Sequence, residues 1–111
     1  MDLEFHKRED KIIVDLIGEL DHHNAEEVRV KIDDRIDRDN IKKLILNFKS
    51  VTFMDSSGIG AVVGRYKKIT SKGGVLCVAD VNRGVNRVFK LSGLFKIING
   101  YKDVAEALKH I

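Results

Sequence analysis

The stretch FMDSSGIGAVVGRY, Phe53 to Tyr66, turns an extended segment into a helical one within a few residues. Upstream, LILNF (Leu44 to Phe48) is apolar at nearly every position, the pattern of an inner strand of a parallel sheet. Downstream, Ile59, Val62, Val63, Tyr66 and Ile69 recur on one helical face. A buried strand feeding an amphipathic helix is half of a βαβ unit, and this corner therefore decides the fold class.

The rest of the chain repeats the theme. Leu3 to Lys7 and Lys11 to Ile17 read as strands joined by the charged turn Arg8-Glu9-Asp10, an antiparallel hairpin that Gly18 closes. GELDHHN, from Gly18 to Asn24, reads as a loop. Ala25, Val28, Ile32 and Ile36 mark a helix capped by Asn24, Asp21 or a neighbour. Gly73-Gly74 stops the second helix. Val75 to Ala79 is a further buried strand. Val81, Val85, Val88 and Phe89 mark a third helix closing near Gly93, Lys96 to Ile98 a short strand, and Val104, Ala107 and Leu108 a last helix. The order predicts an α/β fold in one domain over residues 1–111. It has a mixed, mostly parallel β-sheet with an N-terminal antiparallel hairpin and four amphipathic helices.

Composition narrows the function. A chain of 111 residues suits one domain, and 43% apolar with 33% charged residues reads as globular rather than disordered. No apolar run approaches the roughly 18 residues of a membrane span. The start, MDLEFHKRED, lacks the apolar core of a signal peptide, so a cytoplasmic location and no membrane contact are expected. Twenty Lys and Arg are interspersed with 17 Asp and Glu. They form no basic stripe with interleaved aromatics, so no nucleic-acid partner is expected. Cys77 is the only cysteine and sits in the apolar run VLCVA, where a buried core role is expected. The adjacent His22 and His23 do not converge on one ion, and His6 and His110 are remote in sequence. Neither a metal site nor a cofactor is therefore expected.

In open α/β sheets, functional groups gather at the carboxyl ends of the strands. Three loops qualify: Gly18 to Asn24, Ser50 to Gly58 and Asp80 to Gly84. If the strands are neighbours, one edge carries Asp21, His22, His23, Asp55, Ser56, Ser57, Asp80 and Arg83. Arg83, Arg87 and Lys90 read as a solvated helix face. The two serines admit four roles. One helix cap needs one hydroxyl or carboxylate, which Ser57 or Asp55 supplies, leaving Ser56 without a structural duty. A nucleophile elbow needs G-x-S-x-G, and Met54 stands where the first glycine belongs, although His22 or His23 offers a base for a serine hydrolase. A P-loop needs Lys after its last glycine, where Arg65 stands, and the third glycine of a dinucleotide fingerprint comes one residue late, at Gly64. The fourth role is a serine modified by another protein, which asks only for an exposed hydroxyl on a defined surface.

Asp55-Ser56-Ser57-Gly58-Ile59-Gly60 between a strand and a helix resembles the signature of the STAS domain family of anti-sigma-factor antagonists. The loop Gly18 to His23, the run Gly64-Arg65-Tyr66-Lys67 and the segment Leu91 to Ile98 resemble the sporulation sigma-F branch of that family, and the likeness covers essentially the whole chain. The resemblance implies a partner switch in transcription regulation. The unphosphorylated antagonist binds an ATP-bound anti-sigma factor that is also a serine protein kinase, and so frees the sigma factor. The kinase then phosphorylates the serine after the aspartate, here Ser56, and a serine phosphatase restores it. The resemblance also implies that Asp21 meets an arginine of the kinase. The surrounding His22, His23, Asp55, Ser57, Gly58, Ile59 and Gly60 would complete the docking edge. The free chain is expected to be a monomer without catalytic residues. A general-stress antagonist of another anti-sigma kinase is the alternative.

Overall fold

A computed structural model describes residues 1–111. Its elements are β1 (Asp2–Arg8), β2 (Lys11–Leu20), α1 (Ala25–Asp39), β3 (Lys43–Met54), α2 (Ser56–Ser71), β4 (Val75–Ala79), α3 (Arg83–Ser92), a 3-10 turn (Leu94–Lys96), β5 (Asn99–Tyr101) and α4 (Val104–His110). One sheet runs β1-β2-β3-β4-β5. β1 pairs antiparallel with β2, and every other pair is parallel. The expected hairpin, mixed sheet and four helices are therefore present.

The strand order never reverses. Right-handed crossovers stepping always in one direction place their helices on one face of the sheet. Accordingly Val28, Ile32 and Ile36 of α1, Val62 and Ile69 of α2, and Val85 and Phe89 of α3 share one core with Leu16, Leu44, Leu46 and Phe48. The second face is covered by α4 alone, through Ala107 against Ile13, Ile45, Cys77 and Ala79. α4 packs on β3, β4 and β5, and the β1–β2 side of that face has no helix over it. No helix is long and apolar enough to cross a membrane.

Three strand boundaries differ markedly from the sequence reading, and Val81, expected on the third helix, precedes α3. β2 does not stop at Gly18 but runs on to Leu20, and β3 does not stop at Phe48 but runs on to Met54. The register between them slips twice, between Asp15 and Ile17 and between Gly18 and Glu19, each time with an extra residue on β3. Bulges of this kind break the two-residue alternation on which strand recognition depends. Beyond Phe48 the buried positions of β3 are Val51 and Met54, a spacing of three. Gly18 sits at the second slip with φ of 120°, a conformation that suits glycine. The expected strand over Lys96 to Ile98 is a 3-10 turn followed by β5. There Leu94 and Ile98 are buried while Ile97 is exposed, which is not strand periodicity.

Candidate functional site

The bulged end of β3 delivers the polar corner. α2 begins at Ser56, three residues before the expected Ile59, and its N-cap is Asp55. Asp55 Oδ1 accepts hydrogen bonds from the backbone N–H of Ser57 at 2.9 Å and of Gly58 at 3.3 Å. Its Oδ2 accepts from the backbone N–H of His22 at 3.1 Å, 33 residues away in sequence. One carboxylate therefore caps α2 and ties its start to the β2–α1 loop. Burial raises the Asp55 pKa, but the three backbone donors of Gly58, His22 and Ser57 outweigh it and hold the carboxyl below its ordinary value.

The β2–α1 loop is organised by Asp21. Its Oδ1 accepts from His23 N at 3.1 Å, Asn24 N at 3.1 Å and Asn24 Nδ2 at 3.0 Å. Asn24 precedes α1 but makes no side-chain cap of its own. Its amide bridges Asp21 to the carbonyl of Glu19, at 2.9 Å. Asp21 Oδ2 has no partner within the chain and faces no internal cation. The third loop joins through Asn82, whose Nδ2 donates to the carbonyl of Val51 at 2.7 Å while its Oδ1 caps α3 at Val85 N. The three loops thus meet at one edge, as the parallel strand order requires.

On that edge the two serines differ. Ser56, the first residue of α2, is exposed, and its hydroxyl bonds to nothing in the chain. Ser57 is half-buried, with its Oγ 3.4 Å from His22 Nδ1. The imidazole of the possible base therefore meets Ser57 and not Ser56. His22 and His23 are exposed, and His23 approaches neither serine closely enough to hydrogen bond. Ile59 packs half-buried against the core. Gly58 is buried, and a Cβ on it would stand 2.4 Å from the carbonyl oxygen of Leu20 and 2.9 Å from Met54 Cγ. Its contribution to the edge is the close approach of α2 to the end of β2. Gly60 is exposed with open space around it. Ser56, Gly60 and Gly64 recur every four residues and so share one face of α2.

Two residues of this region carry no role in the sequence reading. Phe53 is 50% exposed near the end of β3, two residues before the cap Asp55. The bulge that turns it outward has no sequence signal other than the broken alternation. Arg65 is only 6% exposed. Its Nε lies 2.8 Å from Asp33 Oδ1, joining α2 to α1, but off the axis of an aligned hydrogen bond, and its Nη1 is buried without a partner. Burial lowers the pKa of this guanidinium, and Asp33 opposes the shift.

None of the larger cavities is lined by the Asp21–His23 loop or the Asp55–Gly60 corner, and one of them reaches Val81 in the third loop. Fold and edge together define an α/β module that presents a helix start, a loop and an unengaged hydroxyl to a surface. Residues 2–107 match the STAS domain family, and the chain belongs to it. It is 46% identical over 100 residues to the anti-sigma F factor antagonist of Paenibacillus polymyxa, covering 90% of this chain and 86% of that one. It also superposes on the anti-sigma factor antagonist SpoIIAA in its unphosphorylated form, with a TM-score of 0.84 and 31% identity, covering 98% of this chain and 95% of that one. The phosphorylated form of the Bacillus cell fate determinant SpoIIAA superposes with a TM-score of 0.76 and 30% identity, covering 98% of each chain. The first two of these relatives are anti-sigma factor antagonists.

Proposed function

We propose that this chain is an anti-sigma factor antagonist that works by partner switching. Its unphosphorylated form docks through the Asp21–His23 loop and the Asp55–Gly60 corner onto an ATP-bound anti-sigma factor with serine kinase activity. That docking frees the sporulation sigma factor. Phosphorylation of Ser56 ends the docking, and a serine phosphatase reverses it. The observation that carries this reading is Ser56 itself: an exposed hydroxyl at the first position of a helix whose cap is already supplied by Asp55. The relatives solved in both phosphorylation states give it independent support.

The physics favours a switch that acts on docking. A phosphoryl group adds roughly −1.5 to −2 charges and three acceptor oxygens. At a helix N-terminus the dipole favours that charge by up to about 2 kcal/mol. Against a desolvated partner surface the same charge costs several kcal/mol, and a loss of about 3 kcal/mol weakens affinity more than a hundredfold. Asp21 Oδ2, unengaged inside the chain, would be the group that meets a partner arginine.

The test is phosphate transfer. The chain is mixed with the sporulation anti-sigma kinase, or separately with a general-stress one, and ATP. The reading expects stoichiometric phosphate on Ser56 by peptide mapping with the sporulation kinase, and release of the complex. Ser56→Ala should form the complex and never leave it. Modification at Ser57, or release of Ser56→Ala by ATP, would refute the assignment. Transfer only from the general-stress kinase would move the chain to that system.

A further inference from the structure

The uncovered part of the second sheet face holds three side chains that sequence distance kept apart. Glu4 and His6 stand two residues apart on β1 and so project from the same face. Asp15 on β2 is the cross-strand partner of Glu4. His6 Nε2 lies 3.0 Å from Asp15 Oδ2 and 3.9 Å from Glu4 Oε2. One donor atom from each residue falls within 4.8 Å of the other two. Asn47 on β3 fixes the arrangement from behind, its Nδ2 donating to Asp15 Oδ1 at 2.8 Å and leaving Oδ2 turned toward the imidazole. Neither carboxylate has a lysine or arginine within ion-pair distance, so the imidazole is shared between two anions. His6 and Asp15 open onto a groove of ≈ 580 Å³ that Ile13, Asn47 and Val104 also line, with Glu4 at its side.

We propose that Glu4, His6 and Asp15 bind a divalent transition-metal ion, zinc being the best match. A zinc ion holds imidazole nitrogen and carboxylate oxygen at about 2.0–2.2 Å, which sets three such donors roughly 3.5 Å apart. The donors now lie within 4.8 Å of one another, so binding would draw them in by side-chain rotation. An imidazole in the set selects zinc-like ions over magnesium or calcium, which prefer oxygen donors alone. Asn47 acts as the outer partner that orients a ligating carboxylate. The site lies on the face opposite α2, and the ion would bridge β1 to β2 without touching the Ser56 edge. It does not rest on the proposed switch.

The full chain, untagged and stripped by chelator, is titrated calorimetrically with zinc chloride. One ion per chain is expected, with affinity about tenfold or more lower in His6→Ala and in Asp15→Asn. Glu4 and His6 are exposed and Asp15 is half-buried, and circular dichroism verifies that the variants stay folded. Cobalt(II) supplies a second readout: its visible absorption bands should appear in the wild type and be lost in His6→Ala. Equal titration of wild type and His6→Ala overturns the proposal and leaves a hydrogen bond only. Absence of heat at millimolar zinc overturns it too, as does binding that disappears instead in His22→Ala/His23→Ala.

Discussion

Gly58 and Gly60 look interchangeable in DSSGIG, yet the structure gives them opposite demands. A Cβ at position 58 meets the Leu20 carbonyl oxygen at 2.4 Å, and backbone cannot move aside cheaply. Gly58→Ala should therefore destabilise the chain by about 1–3 kcal/mol, the usual cost of overpacking. Position 60 is open, and Gly60→Ala should stabilise it by about 0.5–1 kcal/mol through backbone entropy. Urea unfolding reads both, and equal effects would mean that close packing is not what position 58 requires. Asp55 carries a pH signature. Its folded-state pKa is depressed, so its contribution is complete above the unfolded carboxylate value of about 3.9. That contribution drains away as pH falls through the folded value. Asp55→Asn, which keeps an acceptor and cannot titrate, should flatten the acid limb of a stability-against-pH curve. An unchanged limb would show that other carboxylates set it. At this scale the sequence narrowed the cap to Ser57 or Asp55 and no further. What decides between them is the carboxylate's second oxygen, which reaches His22 N across 33 residues that hold no local signal.

Elements recognisable by period were legible, and elements bent by bulges were not. The helices of the three crossovers, the buried runs of β3 and β4 and the stop at Gly93 follow from spacing and turn chemistry alone. The second half of β3 was hidden because two register slips stretch its buried spacing from two residues to three. α2 shows a subtler limit. Apolar spacing placed Tyr66 on its inner face, and Tyr66 does pack half-buried there, but the deeper position is Arg65. A charge on the buried side of a helix is unreadable without its counter-ion, and Asp33 lies on another element. This pair fixes how α1 and α2 sit together, and through them how the Asp21 loop meets Asp55. Asp33→Asn leaves a buried guanidinium uncompensated and should cost about 3–5 kcal/mol. The neighbouring link from Asp37 to Lys68 spans the same two helices, but Asp37 is well exposed. Asp37→Asn should cost less than about 1 kcal/mol. Denaturant midpoints separate the two, and a mild Asp33→Asn would remove the pair from the forces that set the helix angle.

The molecule as a whole separates stability from signalling. Its core lies between the sheet and α1, α2 and α3, with a second, smaller cluster under α4. Ser56 belongs to neither and donates to no internal partner, so a charge placed there disturbs no packed contact. The cap beside it is already saturated: Asp55 holds Ser57 N, Gly58 N and His22 N whether or not Ser56 is modified. Two local terms then oppose each other on a new anion at position 56, attraction by the start of α2 and repulsion by the Asp55 carboxylate. Each is worth at most about 1–2 kcal/mol at a solvated site. Their near cancellation predicts that Ser56→Asp melts within a few degrees of the wild type, the shift that about 1 kcal/mol produces in a domain of this size. The same substitution should weaken docking on the anti-sigma kinase far more than it moves the melting temperature. At an interface the charge loses its water, and no helix dipole offsets that loss. Asp21→Asn offers the complementary case: the amide oxygen still accepts from His23 and Asn24, so the loop stays built while the charge proposed to meet a partner is gone. Calorimetric melting beside equilibrium binding on these two variants measures the separation directly. If Ser56→Asp unfolds early, or binds as tightly as the unmodified chain, then fold and docking are not independent at this edge and exclusion by charge is not the switch.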